Sequence, residues 1–115
     1  MRPVEGMSIL ITGGGSGLGA GAAEHFCRLG AKVTISGRRR EKIEAEAAAI
    51  GPNCLGVAGD VTVDADRRRM IDAAVAHGGG RLDALLSNAG NMYRGAIDEL
   101  DEQQLLDIFN TNVVA

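Results

Sequence analysis

The sequence predicts an α/β fold built on a parallel sheet, and three observations carry that prediction. Short apolar, β-branched runs alternate with helical stretches of about a dozen residues, the pattern of βαβ units with right-handed crossovers. Glycine is abundant, 17 in 115 residues with no repeating period, so the glycines serve particular backbone positions. Aromatic residues are scarce (Phe26, Phe109, Tyr93 and no Trp), which leaves an aliphatic core.

Ser8-Ile9-Leu10-Ile11-Thr12 is a buried strand ending at a glycine cluster. After Gly17 the pattern turns helical, with Ala22, Ala23, Phe26 and Cys27 on one face and Gly30 as the stop. Lys32 to Ser36 is the second strand, closed by Gly37. A charged helix from Arg39 to Ile50 places Ile43, Ala47 and Ile50 inward and ends at Gly51-Pro52. The third strand is Cys54 to Gly59, and the third helix is Asp64 to His77, with Met70, Ile71, Ala74 and Val75 facing inward. Gly78-Gly79-Gly80 is a flexible connection to a fourth strand, Leu82 to Ser87. A helix from Asp101 onward buries Leu105, Ile108, Phe109 and Val113. Ending at Ala115, that helix would have half its apolar face uncovered and the fourth strand one open edge. The chain is therefore expected to be one domain cut short after its fourth strand and following helix.

Composition excludes several classes. Twelve Lys and Arg face 15 Asp and Glu, a formal charge of −3, where a nucleic-acid binder would carry a basic excess. With 45 % apolar and 23 % charged residues the chain is too apolar for disorder. No run approaches the roughly 18 apolar residues of a membrane span, and the N-terminus shows no secretory pattern. Cytoplasmic localisation is the expectation. Cys27 and Cys54 fit neither a C-x-x-C pair nor zinc-ligand spacing and read as two buried thiols. His25 and His77 have no ligand-spaced partners, so no metal site is expected.

The chemistry is concentrated in Thr12-Gly13-Gly14-Gly15-Ser16-Gly17-Leu18-Gly19, between the first strand and first helix. Glycines there let a phosphate approach main-chain N–H groups at the positive end of a helix. A Walker A loop needs Lys and Ser or Thr after its last glycine, whereas Gly19 is followed by Ala20 and Gly21. The dinucleotide pattern G-x-G-x-x-G/A fits loosely as Gly17, Gly19 and Ala22. T-G-x-x-x-G-x-G fits more tightly, and with it the chain resembles the short-chain dehydrogenase/reductase family from about Ser8 to Ala115. Asp60-Val61 lies at the third strand end, and Ser87-Asn88-Ala89-Gly90 follows the fourth strand like the family's N-N-A-G, with Ser in place of the first Asn. Asn112, within Asn110-Thr111-Asn112-Val113, matches the family's catalytic Asn.

The resemblance implies a Rossmann-type, doubly wound parallel sheet that binds NAD(P), represented by its N-terminal portion, residues 1–115. It implies cofactor contacts at Gly13, Gly15, Ser16, Gly17, Leu18 and Gly19, an adenine contact at Asp60 and Val61, and a cleft wall at Asn88, Ala89 and Gly90. A catalytic role for Asn112, through a water-mediated proton relay, is implied in the same way. Asp60 also reads as a turn cap, and Asn88-Ala89-Gly90 as turn chemistry.

The nucleotide expected is NADP, ahead of NAD. An NAD enzyme carries an acid at the end of the second strand, and here that position is Gly37, followed by Arg38, Arg39 and Arg40. These guanidinium groups, Arg38 first among them, suit a 2′-phosphate; the other reading, stronger for Arg39 and Arg40 than for Arg38, is a solvated basic turn, like Arg67-Arg68-Arg69 on the third helix. Ser16 stands where many NADP-using relatives carry a second basic residue. Family members act on small carbonyl or alcohol substrates through Tyr and a Lys four residues on, and often form homo-oligomers. Here the only Tyr is Tyr93, with Ile97 four residues on, and the lysines are Lys32 and Lys42. This stretch alone is therefore expected to be inactive. Two other readings are a non-catalytic nucleotide-binding module and an S-adenosylmethionine methyltransferase. The latter would want an acid where Gly37 stands.

Overall fold

The structure, a computed structural model, describes residues 4–13 and 17–87. Strand β1 (Ser8–Thr12) lies inside a parallel sheet between β2 (Lys32–Gly37) and β4 (Ala84–Ser87), and β3 (Cys54–Ala58) adds beyond β2, giving the order β3-β2-β1-β4. All five residues of β1 are buried, since strands flank it and helices cover both faces. Alternation along the strands sorts the core. Ile9, Ile11, Val33 and Ile35 meet Ala23 of α1 (Gly17–Arg28) and Ile43 and Ala47 of α2 (Arg40–Ile50) on one face. Leu10 meets Met70 and Ala74 of α3 (Asp64–His77) on the other. Side chains such as Ile11, Ile35 and Ile43, each at most 1 % exposed, contribute about 1.5–3 kcal/mol apiece by leaving water. The core is aliphatic, as the composition requires.

This is the doubly wound arrangement. The chain walks from β1 through α1, β2 and α2 to β3, and α3 then carries it across the opposite face to β4 on the far side of β1. Reversal of direction leaves a switch point at the C-terminal ends of β1 and β4, where open α/β sheets place their ligands.

Boundaries differ from the sequence expectation for identifiable reasons. β4 starts at Ala84, two residues after Leu82: Asp83 still donates its N–H to the Ser8 carbonyl at 2.8 Å, but a carboxylate takes the place of the next main-chain acceptor. Ser8 donates its N–H to Asp83 Oδ2 at 2.8 Å, and Arg81 Nε stands 3.1 Å from the same oxygen. β3 stops at Ala58, whose carbonyl accepts from Arg69. Arg39 precedes α2 in extended conformation, φ −95° and ψ 110°, so the helix opens one residue later than expected. The helix expected from Asp101 lies outside the described residues.

Both cysteines are free; Cys54 is buried, while Cys27 is half-buried. The two thiols, far apart in sequence, lie beside each other in the same core cluster. Burial, then the neighbouring Cys27, pushes the Cys54 thiol from 9.0 up to about 12. Below pH 9 the thiol is protonated in folded and unfolded chains alike and its contribution is intact. Above that the unfolded chain releases the proton first, so stability falls progressively until the folded thiol ionises near pH 12. Denaturant titrations across this window should show the native chain losing more stability than Cys54→Ser. Parallel pH curves would refute the assignment.

Candidate functional site

The glycine turn leaves β1 through Gly13, whose φ of +71° lies in the left-handed region that side chains disfavour. The chain enters α1 at Gly17, where an added Cβ would meet none of the described residues within 4 Å. Leu18 is 79 % exposed and Gly19 is buried. The first turn of α1 carries no acid, whereas α2 opens with Glu41 and α3 with Asp64 and Asp66. The positive end of α1 is thus without a carboxylate of its own in its first turn and accessible at the switch point. That combination suits an anionic group. Gly15 and Ser16 lie outside the described residues.

At the next strand end, Gly37 is followed by Arg38, whose side chain is 69 % exposed and whose Nη2 lies 3.7 Å from Asp60 Oδ1. The sheet brings these two together because β2 and β3 are adjacent and in register to Gly37 opposite Ala58. Asp60 Oδ1 also accepts from Thr62 N–H at 2.8 Å and from the Thr62 hydroxyl at 2.7 Å. The Thr62 hydroxyl first, then the Thr62 N–H, and more weakly the Arg38 guanidinium hold the Asp60 carboxyl below its ordinary range. Asp60 therefore caps its own turn. Its described bonds all fall on Oδ1. The Val61 carbonyl accepts from Arg67 Nη1 at 2.8 Å, and its side chain packs beside Met70.

The arginines of α3 correct the expectation of a solvated basic run. Arg68 does stay on the surface, pairing with Asp64 at 3.1 Å. Arg67 and Arg69 instead reach back to the turn before their helix, to the carbonyls of Val61 and Ala58. Asp66, which sequence reasoning passed over, accepts the Asp60 N–H at 2.9 Å. The available signal was Asp64 and Asp66 each three residues before an arginine, the spacing of helical ion pairs.

Asn88, Ala89, Gly90, Tyr93 and Asn112 lie outside the described residues. Near the switch point, the Thr12 hydroxyl reaches the Leu86 carbonyl at 3.5 Å, tying the ends of β1 and β4. Among the described residues no group of three or more His, Cys, Asp or Glu could hold a metal ion. None of the described helices is long and apolar enough to cross a membrane.

Comparison with known proteins agrees with this geometry. The sequence profile of the short chain dehydrogenases matches residues 7–115. Oxidoreductase asL5 of Sarocladium schorii is 41 % identical over 113 residues, covering 98 % of this chain and 45 % of the relative. A peroxisomal 2,4-dienoyl-CoA reductase of Arabidopsis thaliana is 32 % identical, with 96 % and 38 % covered. Among solved structures, 3-ketoacyl-(acyl-carrier-protein) reductase from Brucella melitensis, complexed with NADH, superimposes with a TM-score of 0.72 at 36 % identity, over 96 % of this chain and 46 % of that one. The chain thus spans less than half the length of these relatives. A parallel sheet wound on both faces, a glycine turn at its switch point and a profile match over nearly the whole sequence converge on one assignment: the chain belongs to the short chain dehydrogenase family of oxidoreductases.

Proposed function

We propose that residues 1–115 are the N-terminal, cofactor-binding portion of an oxidoreductase that moves a hydride between NADP(H) and a small carbonyl or alcohol substrate. The observation that carries the choice of nucleotide is Arg38, an exposed guanidinium at the end of β2 beside a glycine where an NAD enzyme would carry an acid. Its ion pair with Asp60 is no obstacle. At 3.7 Å and largely exposed, such a pair is weak, weaker than a charge-assisted bond to phosphate.

The remaining residues fit the same ligand. Gly13 and the open N-terminus of α1 would receive the diphosphate, with Gly15, Ser16, Gly17, Leu18 and Gly19 contributing backbone and Leu18 covering it. Asp60 and Val61 would border the adenine, whose amino group can donate to the carboxylate. Asn88, Ala89 and Gly90 would line the cleft, and Asn112 would hold a water that relays the proton. Bound NADP supplies the hydride-carrying nicotinamide ring. The oligomer common in the family belongs to this reading for the whole protein.

Titration with NADPH, NADH and S-adenosylmethionine tests the proposal: NADPH should bind in preference to NADH, and S-adenosylmethionine not at all. A second measurement concerns turnover. With no Tyr-x-x-x-Lys pair in its sequence, the 115-residue chain should bind NADPH yet reduce no carbonyl substrate. Steady NADPH consumption by the purified chain would contradict that expectation.

A further inference from the structure

The turn between β3 and α3 is held more completely than its length requires. Gly59 donates its N–H to the Gly37 carbonyl at 2.9 Å, and the Val63 N–H reaches the Asp60 carbonyl at 3.0 Å. Every other described tie comes from a side chain. The Ala58 carbonyl accepts from Arg69 Nη2, the Asp60 N–H donates to Asp66 Oδ2 at 2.9 Å, and the Val61 carbonyl accepts from Arg67 Nη1 at 2.8 Å. Arg69 Nη1 and Asp66 Oδ1 close the set at 2.9 Å. Side chains of α3 fill the space over this turn: a Cβ on Gly59 would come within 2.5 Å of Met70 Cε and 3.0 Å of Arg69 Nη2, the ends of two flexible side chains.

Asp66 is the third residue of α3. An acid at that position commonly turns back to the N–H of the residue capping its own helix. Here the cap residue, Val63, has no side-chain cap bond, and Asp66 reaches past it to Asp60. The carboxylate is directed to the turn rather than to the helix end. Through the Gly59–Gly37 bond the same turn is fastened to the strand end that carries Arg38.

We propose that Asp66, braced by Arg69, is a positioning residue for nucleotide recognition: it fixes the Gly59–Val61 turn so that the Asp60 carboxylate meets the exocyclic amino group of adenine. This rests on the dinucleotide reading above and adds the device that gives that reading its selectivity for the base. Asp66 itself touches no ligand. It acts through the Asp60 N–H, and the Asp60 N–H together with Arg69 keeps its carboxyl below the ordinary range and charged at neutral pH.

The test compares NADP with its hypoxanthine analogue, in which a carbonyl oxygen replaces the adenine amino group. The native protein should prefer NADP by about tenfold, the value of one hydrogen bond to a charged acceptor. Asp66→Ala should bring that preference close to unity. Asp66→Asn keeps an acceptor for the Asp60 N–H but loses the charge facing Arg69, and should retain part of it. A merely structural role would weaken both ligands equally, so equal weakening overturns the inference, as does an unchanged preference in Asp66→Ala. Should Asp66→Ala fail to fold, Asp66→Asn decides: a preference identical to that of the native protein refutes the role of the Asp66–Arg69 pair. A native protein that binds both ligands equally well overturns this inference and leaves the dinucleotide reading standing. A native protein that binds neither overturns both.

Discussion

Replacing Arg38 with alanine should weaken NADPH binding by about 10- to 100-fold while moving NADH by no more than about threefold. The size follows from the interaction removed, a charge-assisted bond between guanidinium and phosphate worth roughly 1.5–3 kcal/mol. The selectivity follows from the surroundings. Arg38 is one of three contributors that hold the Asp60 carboxyl low, and it is weaker than either bond from Thr62. Its removal therefore leaves Asp60 ionised at neutral pH and its turn intact, because Asp66, Arg67 and Arg69 do not depend on Arg38. The adenine end shared by the two nucleotides is preserved, and only the 2′-phosphate loses its partner. Fluorescence titration of both reduced nucleotides against the native chain and Arg38→Ala measures the ratio. Equal losses for NADPH and NADH would mean that Arg38 supports the fold of the strand end, and an NADH preference in the native chain would refute the nucleotide assignment.

What the sequence made legible is what local periodicity and local chemistry determine. The run Ser8–Thr12, the glycines after it and the apolar face around Ala23 define strand, turn and helix within a few residues of one another. The structure keeps the strand and the helix there. Arg38 and Asp60 could each be assigned to a strand end without knowing that they face each other, since parallel strands carry their C-terminal ends to one side. What stayed illegible depends on how tightly one element closes on the next. Whether Arg67 and Arg69 point to water or back to Val61 and Ala58 is decided by the few residues between β3 and α3, and helical spacing alone is compatible with both. The contact between Cys27 and Cys54 needs α1 to lie over β2 and reach the start of β3, a packing angle that no pattern of thirds and fourths encodes. The late start of β4 arises similarly. Leu82 is apolar enough to belong to the strand, but the Ser8 N–H is taken by the Asp83 carboxylate, which also pairs with Arg81, while the Asp83 N–H still reaches the Ser8 carbonyl.

Substituting Gly17 with aspartate should separate folding from binding, with effects of opposite sign. Among the described residues nothing lies within 4 Å of a Cβ at this position, and α1 has no acid in its first turn. A carboxylate placed there gains about 0.3–1 kcal/mol from the helix dipole, and loss of glycine's freedom in the unfolded chain adds about 0.4–1 kcal/mol. The melting temperature should accordingly hold or rise. The same carboxylate would stand where the diphosphate must approach the main chain, adding like charge and removing the space that a missing side chain provides. NADPH affinity should fall by at least about 100-fold, since both electrostatic attraction and close contact are lost together. Gly17→Ala separates these two causes: it fills the space without adding charge and should lie between native and Gly17→Asp. A thermal melt and an NADPH titration on the three proteins decide the matter. If the glycine turn served only to reverse the chain, Gly17→Asp would bind NADPH as the native protein does, because none of the described residues opposes the new side chain. A stabilised protein that has lost its nucleotide is the outcome that only a phosphate-binding turn produces.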